Sequence, residues 1–185
     1  MARDCVFTNF GLDVTQELCQ HIEALGDQQI ATYLNRTHQS VEDSVMKRKT
    51  TTITQKVIIP SLPEEVYEAL LDPKKHSAFT GSKATGKARV GAKFTAWDGY
   101  ISGKNLELEK GKRIVQEWVT TEWPEDYPPS KLEFTFKEVD GKTELTMIHS
   151  EIPIDQKEEL QKGWADYYWG PMKNYFETEK RDASR

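Results

Sequence analysis

Near the end of the chain five large apolar residues, Leu160, Trp164, Tyr168, Met172 and Phe176, recur at a spacing of four. The last four belong to "KGWADYYWGPMKNYF", which holds two Trp, three Tyr, a Phe and a Met in an otherwise polar chain. A four-residue spacing lays side chains along one side of a helix, so the stretch predicts a helix with an aromatic stripe on one face. The other face carries Lys162, Asp166, Lys173 and Glu177, a mixed solvated surface without the basic bias of a membrane-surface helix. The helix is expected to start at Asp155, with Glu158 at the capping-box position. Gly170-Pro171 lies within it, and proline predicts a bend there.

Such a stripe needs a broad apolar surface to cover it, and the preceding residues supply one. In "KLEFTFKEVDGKTELTMIHS", Leu132, Phe134 and Phe136 share one strand face, and Leu145, Met147 and His149 share a face of the return strand. Asp140-Gly141 is a two-residue hairpin turn between them. "KFTAW", "YISGKNLELEKG" and "RIVQEWVTT" extend the meander, broken at Asp98-Gly99 and at Glu109-Lys110-Gly111. Upstream, "TTITQKVII" reads as a strand with Ile53, Val57 and Ile59 on one face. Ser61-Leu62-Pro63-Glu64, an S-x-x-E capping box with Glu64 as its carboxylate, then opens a helix carrying Val66, Tyr67, Leu70 and Leu71, which Asp72-Pro73 ends. "KKHSAF" predicts a further short helical piece.

Residues 1–50 read as a separate helical extension. Asp13 to Gly26 carries Leu18, Ile22 and Leu25, and a second pattern from Asp27 carries Ile30, Tyr33, Leu34, Val41 and Val45. This thin stripe cannot form a core alone. The expected organisation is a helical extension over 1–50, one domain over 51–180 and a tail over 181–185.

Composition narrows the partners. A net charge of -5 with no dense basic stripe excludes nucleic acid as an expected partner. No run approaches a membrane span and no secretory signal is visible, so no membrane association and a cytoplasmic location are expected. Cys5 and Cys19 have no metal-site spacing and read as reduced thiols, and the sequon at Asn35 reads as chance.

Motifs with catalytic associations fail on context. Residues 81–87, GSKATGK, come close to a phosphate-binding loop, but Ala88 stands where the magnesium-binding hydroxyl belongs, and strands rather than a helix follow. Ser44-Val45-Met46-Lys47 lacks its companion motifs. The histidines, at 21, 38, 76 and 149, are dispersed. No metal, cofactor or catalytic residue is expected. His149, placed on the apolar face, is either a hydrogen-bonded core histidine or a group that orients a ligand or moves a proton.

The order of elements resembles the helix-grip (START-like) fold: α+β, with a curved antiparallel sheet of about seven strands gripping a long C-terminal helix. The residues Asp98-Gly99, Ser102-Gly103, Trp118, Trp123-Pro124, Gly141 with Thr143-Glu144-Leu145, Ile152-Pro153, and Gly163-Trp164 with Tyr167-Tyr168 are similar to the activator of heat shock protein 90 ATPase homologue family, in particular its C-terminal domain. The resemblance covers roughly Thr51 to Phe176. It implies a non-enzymatic, co-chaperone-like interaction module with a heat shock protein 90-type chaperone as partner. The alternative is a carrier of a small hydrophobic ligand held between sheet and helix; a third reading is a cyclase-like enzyme using His149. The basic R-K-G-K motif of the family's separate N-terminal domain is not found in residues 1–50.

Trp118, Phe134, Phe136, Met147, His149, Trp164, Tyr168 and Met172 are the candidate cavity residues, as core or as ligand-contacting wall. Trp123 and Tyr127, in the stiff loop "TEWPEDYPPS", are the candidate partner-binding residues; Trp123 either faces a partner or folds back onto the sheet edge.

Overall fold

The computed structural model describes residues 49–183 together with Thr32 and Arg36. The N-terminal helical patterns, Cys5, Cys19, His21, His38, the sequon and the Ser44 to Lys47 motif therefore lie outside the described residues, apart from Arg36 within the sequon. The chain divides into two units, Met1–Arg48 and Lys49–Arg185, and the second is described below.

Six strands form one antiparallel sheet: β1 (Thr50–Ile59), β2 (Lys93–Ala96), β3 (Ile101–Glu109), β4 (Arg113–Thr120), β5 (Ser130–Val139) and β6 (Lys142–Pro153). Their spatial order is β1-β6-β5-β4-β3-β2. Two helices, α1 (Pro63–Leu71) and α2 (Pro73–Thr80), follow β1. The C-terminal helix is made of α3 (Lys157–Trp164), a π-helical segment (Ala165–Trp169) and α4 (Gly170–Ala183).

The β5–β6 hairpin forms as its alternation predicts. Asp140 and Gly141 both have positive φ, 51° and 69°, the backbone that a two-residue turn between right-twisted strands requires. Leu132, Phe134, Phe136, Leu145 and Met147 all face the core. A bulge near the end of β6 then changes the phase: Ile53 pairs with His149, whereas Thr51 pairs with Ile152. Glu151, at φ 62°, is the extra residue, and it lets His149 and Ile152 both point inward. A second register shift lies between Asn105 and Glu107 in β3. Bulges of this kind bend strands, and here they curve the sheet around the helix.

The expectation of about seven strands is corrected to six. Thr85 makes a single bridge to Thr95, the remnant of an edge strand. Gly81, Gly86 and Gly91 all adopt positive φ in that region, so no extended run long enough for a ladder forms. Gly103 marks the tightest approach within the sheet: a Cβ built there would lie 2.0 Å from the Glu117 carbonyl oxygen and 2.6 Å from Cζ of Phe94.

Three local expectations change. At the start of α1 the reciprocating carboxylate is Glu65, one residue past the expected Glu64: it accepts from Ser61 Oγ and, at 3.2 Å, from the Leu62 amide. The C-terminal helix does not start at a capping Asp155. A 3₁₀ turn over Ile154–Gln156 leads into Lys157, with no side-chain cap bond at either start. In place of a simple proline bend, the chain widens into the π segment immediately before Gly170-Pro171. There the Gly170 amide bonds to the Ala165 carbonyl, five residues back. Pro171 has no amide to contribute and its ring crowds the preceding turn, so a wide turn accommodates it. Trp164, Tyr168, Met172 and Phe176 are buried as predicted, and the wide turn adds Trp169 to the buried face.

Candidate functional site

The expected cavity residues sort into distinct surroundings. Phe136, Met147, His149 and Met172 are buried in the core. Trp118, Phe134, Trp164 and Tyr168 come together around a pocket of about 30 Å³ beneath the helix, with His76, Asn105 and Gln116 also in its wall. That is room for about one water molecule. Between sheet and helix the described domain is thus packed nearly solid at this place, by rings in edge and stacked contact: Phe134 on Trp164 at 5.8 Å, and Trp164 stacked on Trp169 at 5.4 Å.

His149 sits at the centre of a closed hydrogen-bond chain. Trp164 Nε1 donates to its Nδ1 at 3.2 Å. An indole N–H can only donate, so Nδ1 carries the lone pair and Nε2 the proton. That proton meets Ser130 Oγ at 2.8 Å, and the Ser130 hydroxyl donates onward to the Trp118 carbonyl at 2.6 Å. Every polar atom of the ring is engaged, and none is left for a ligand. Burial pushes the His149 pKa down to about 3. Charging it would also set a second donor against the Trp164 N–H. Of the two readings of His149, the hydrogen-bonded core histidine is the one the geometry fits.

His76 is different. Its Nδ1 lies 3.1 Å from the Leu70 carbonyl, which assigns the proton to Nδ1. Its Nε2 is buried without a hydrogen-bond partner at the wall of the small pocket. Burial lowers its pKa, opposed by the Leu70 contact.

Trp123 and Tyr127 both turn inward. The Trp123 ring meets Trp118 edge-on at 6.2 Å, and its Nε1 donates to the Pro128 carbonyl at 3.0 Å. The Tyr127 hydroxyl donates to the Lys49 carbonyl at 3.4 Å, beside the start of β1. Their rings shape the loop from within, while Glu125 and Asp126 form its exposed part.

A wider groove, which the sequence reading did not single out, flanks the first half of the C-terminal helix. It encloses about 530 Å³ and is walled by Trp97, Tyr100, Trp118, Trp164, Tyr167 and Tyr168, with Glu159, Lys162 and Asp166 on its rim. Tyr167 is 59% and Tyr100 39% exposed, so these rings are not consumed by the core. Trp97 stands at φ 52° and Asp98 at φ 56°, within the loop that joins β2 to β3. A positive φ is unusual for a bulky residue. It turns the Trp97 ring onto Tyr167, at 5.5 Å and 70° between planes, and towards Tyr168 at 6.3 Å. The Asp98-Gly99 pair predicts the turn, but nothing in the sequence signals the conformation of Trp97.

Among the described residues no group of three or more His, Cys, Asp or Glu could hold a metal ion, and no helix is long and apolar enough to cross a membrane.

Comparisons with known proteins agree with this architecture. The Activator of 90 kDa heat shock protein ATPase homolog 1 of Homo sapiens is 35% identical over 131 residues, covering 71% of this chain and 38% of the human protein. The corresponding Dictyostelium discoideum activator is 34% identical over 120 residues, covering 64% of this chain and 31% of its own length. The chain thus spans well under half the length of these relatives. Among solved structures, an HSP90 activator from Plasmodium falciparum superposes with a TM-score of 0.56 at 27% identity, covering 64% of this chain and 89% of that one. A Mesorhizobium loti protein at 21% identity, with a TM-score of 0.60 and coverage of 69% and 98%, shares the fold. The family described as Activator of Hsp90 ATPase homolog 1-like protein matches residues 61–177, from the buried Ser61 ahead of α1 to the end of the aromatic stripe. With the six-stranded sheet, the gripped helix and these relatives in agreement, the chain belongs to that family.

Proposed function

We propose that the domain is a non-enzymatic, co-chaperone-like interaction module whose partner is a chaperone of the 90 kDa heat shock protein type. The observation that carries this reading is the family match, whose human and Dictyostelium relatives are activators of that chaperone's ATPase. Two features support it. The pocket beneath the helix has room for about one water, which favours work done at the outer surface. A cyclase-like enzyme would need His149 to exchange protons near neutral pH, and a closed hydrogen-bond chain with a pKa near 3 opposes that role. The reading concerns binding rather than ATPase stimulation, and a cytoplasmic location goes with it.

The proposed contact surface is the loop after β4, held in shape by Trp123 and Tyr127 and presenting Glu125. Calorimetry of the full chain against the chaperone tests this. Binding should weaken with Trp123→Ala, which lets the loop collapse, and with Glu125→Lys, and it should fall as salt rises. Absence of binding refutes the module; binding indifferent to both variants refutes this surface.

A second reading, a carrier of a small ligand, is favoured by the flanking groove. Its volume of about 530 Å³ falls in the range of small-molecule sites.

A further inference from the structure

The groove has an electrostatic character that selects among ligands. Its rings are set at an angle to one another, Trp97 to Tyr167 at 70° and Trp97 to Tyr168 at 55°, and with Tyr100 they line the enclosed space. Aromatic faces carry the negative side of the ring quadrupole and attract cations. One end of the groove is also negative. The Tyr100 hydroxyl donates to Glu122 Oε2 at 2.8 Å, and burial, Glu122 and Glu159 together hold that phenol above its ordinary pKa. On the rim Glu159 and Asp166 outnumber Lys162. An anion would face two carboxylates and the rings. A neutral apolar molecule would cover the rings while drawing those carboxylates out of water without compensation.

We propose that this groove binds a hydrophobic organic cation, an ammonium group bearing alkyl or aryl substituents, with Trp97, Tyr100 and Tyr167 around the charge and Glu159 beside it. The loop that presents Trp97 is fixed for the purpose. The Asp98 amide bonds to the Lys83 carbonyl and the Tyr100 amide to the Trp97 carbonyl, each at 3.0 Å, holding Trp97 in its left-handed conformation. Backbone held in this way at a concave aromatic surface is a mark of a pre-organised site. The proposal rests on the second reading above, that the groove holds a ligand, and is independent of chaperone binding.

The test uses the full chain and two probes of the same shape, 3-hydroxyphenyltrimethylammonium and its neutral counterpart 3-tert-butylphenol, followed by calorimetry and by tryptophan fluorescence at pH 6.5. The cation should bind more tightly than the neutral probe by about 2- to 30-fold, the range expected for cation–π contact from exposed to desolvated settings. Tyr167→Phe should retain that preference. Tyr167→Leu, which keeps apolar area at an exposed helix position but removes the ring, should reduce it, and Glu159→Gln should weaken the cation alone. Equal binding of both probes overturns the proposal while leaving a ligand groove in place. Failure of both to bind at about 10 mM, the limit of weak association, overturns the proposal and the ligand reading together. A preference for the cation that survives Tyr167→Leu and Glu159→Gln places the charge elsewhere and overturns the site.

Discussion

The hydrogen-bond chain through His149 makes a quantitative prediction about acid stability. In the unfolded chain the imidazole takes up its proton around its ordinary value of 6.5, whereas in the fold it resists protonation down to about 3. Between those values the unfolded state binds the extra proton, so stability falls as pH drops below about 6.5 and this contribution levels off below about 3. Integrating one such site from pH 7 to pH 5 gives a loss of about 2 kcal/mol. The perturbation is His149→Asn, whose amide oxygen can still accept from Trp164 while Ser130 loses its ring partner. The variant is expected to be less stable at neutral pH by about 1 to 3 kcal/mol, but the change with pH is the decisive quantity. Urea unfolding of both proteins at pH 7 and pH 5 gives it as a difference of differences. His76, which is also depressed, and the carboxylates titrate in both proteins and cancel. The variant should lose less stability than the parent over that interval by about 2 kcal/mol. Nitrogen chemical shifts of the parent's imidazole provide a check that needs no variant: His149 should stay neutral, protonated at Nε2, throughout the interval. A His149 midpoint near 6.5, or parallel stability curves for the two proteins, would refute the reasoning.

Three further outcomes are expected. Gly103→Ala places a methyl group within 2.0 Å of a backbone oxygen of β4, so the unfolding free energy from urea titration should fall by more than an ordinary overpacking cost of about 1 to 3 kcal/mol; an unchanged value would mean that β3 and β4 separate easily there. Trp164→Ala, which removes a ring 4% exposed and the donor to His149, should cost about 3 to 5 kcal/mol, and a loss under about 1 kcal/mol would contradict the assigned packing. A chain beginning at Lys49, whose carbonyl accepts from the Ile154 amide at 3.0 Å, should melt cooperatively by itself; a non-cooperative melt beside a normal one for the full chain would place residues 1–48 in the folding unit.

The parts of this fold legible in sequence are those governed by a short period. Alternation in β5 and β6, with Asp-Gly between them, determines both the hairpin and its inward face. Of the family markers along the chain, Ser102-Gly103, Trp118, Thr143-Glu144-Leu145 and Ile152-Pro153 lie in strands, whereas Asp98-Gly99 and Trp123-Pro124 lie in the connections between them. The missing seventh strand was not legible, because scattered glycines at 81, 86 and 91 look like ordinary turns until their backbone angles are known. The partner of His149 could have been found: Ser130 shares the strand face of Leu132 and Phe134 by the same alternation, but the prolines before it make it look like loop. The groove was beyond reach for a deeper reason. Trp97 and Tyr167 lie far apart in the chain and their rings meet only through a left-handed tryptophan, and tryptophan is not a residue whose presence announces that conformation.

The wide turn at Ala165–Trp169 bears on the spacing of the stripe itself. In an α-helix of 3.6 residues per turn, side chains four apart overshoot by about 40° at each step, so the series from Leu160 to Phe176 would rotate about 160° and its far end would leave the sheet. A segment bonded five residues back takes more residues per turn and winds the series backwards. The proline at 171 and the unbroken spacing of four are therefore two halves of one device: the first makes the wide turn favourable at that point, and the second only remains aligned because the turn is there. Deleting a single residue between Ala165 and Trp169 would let an ordinary helix form in which Trp164 and Met172 stand seven positions apart, only about 20° out of line, so the rings beyond the turn would still meet the sheet they cover.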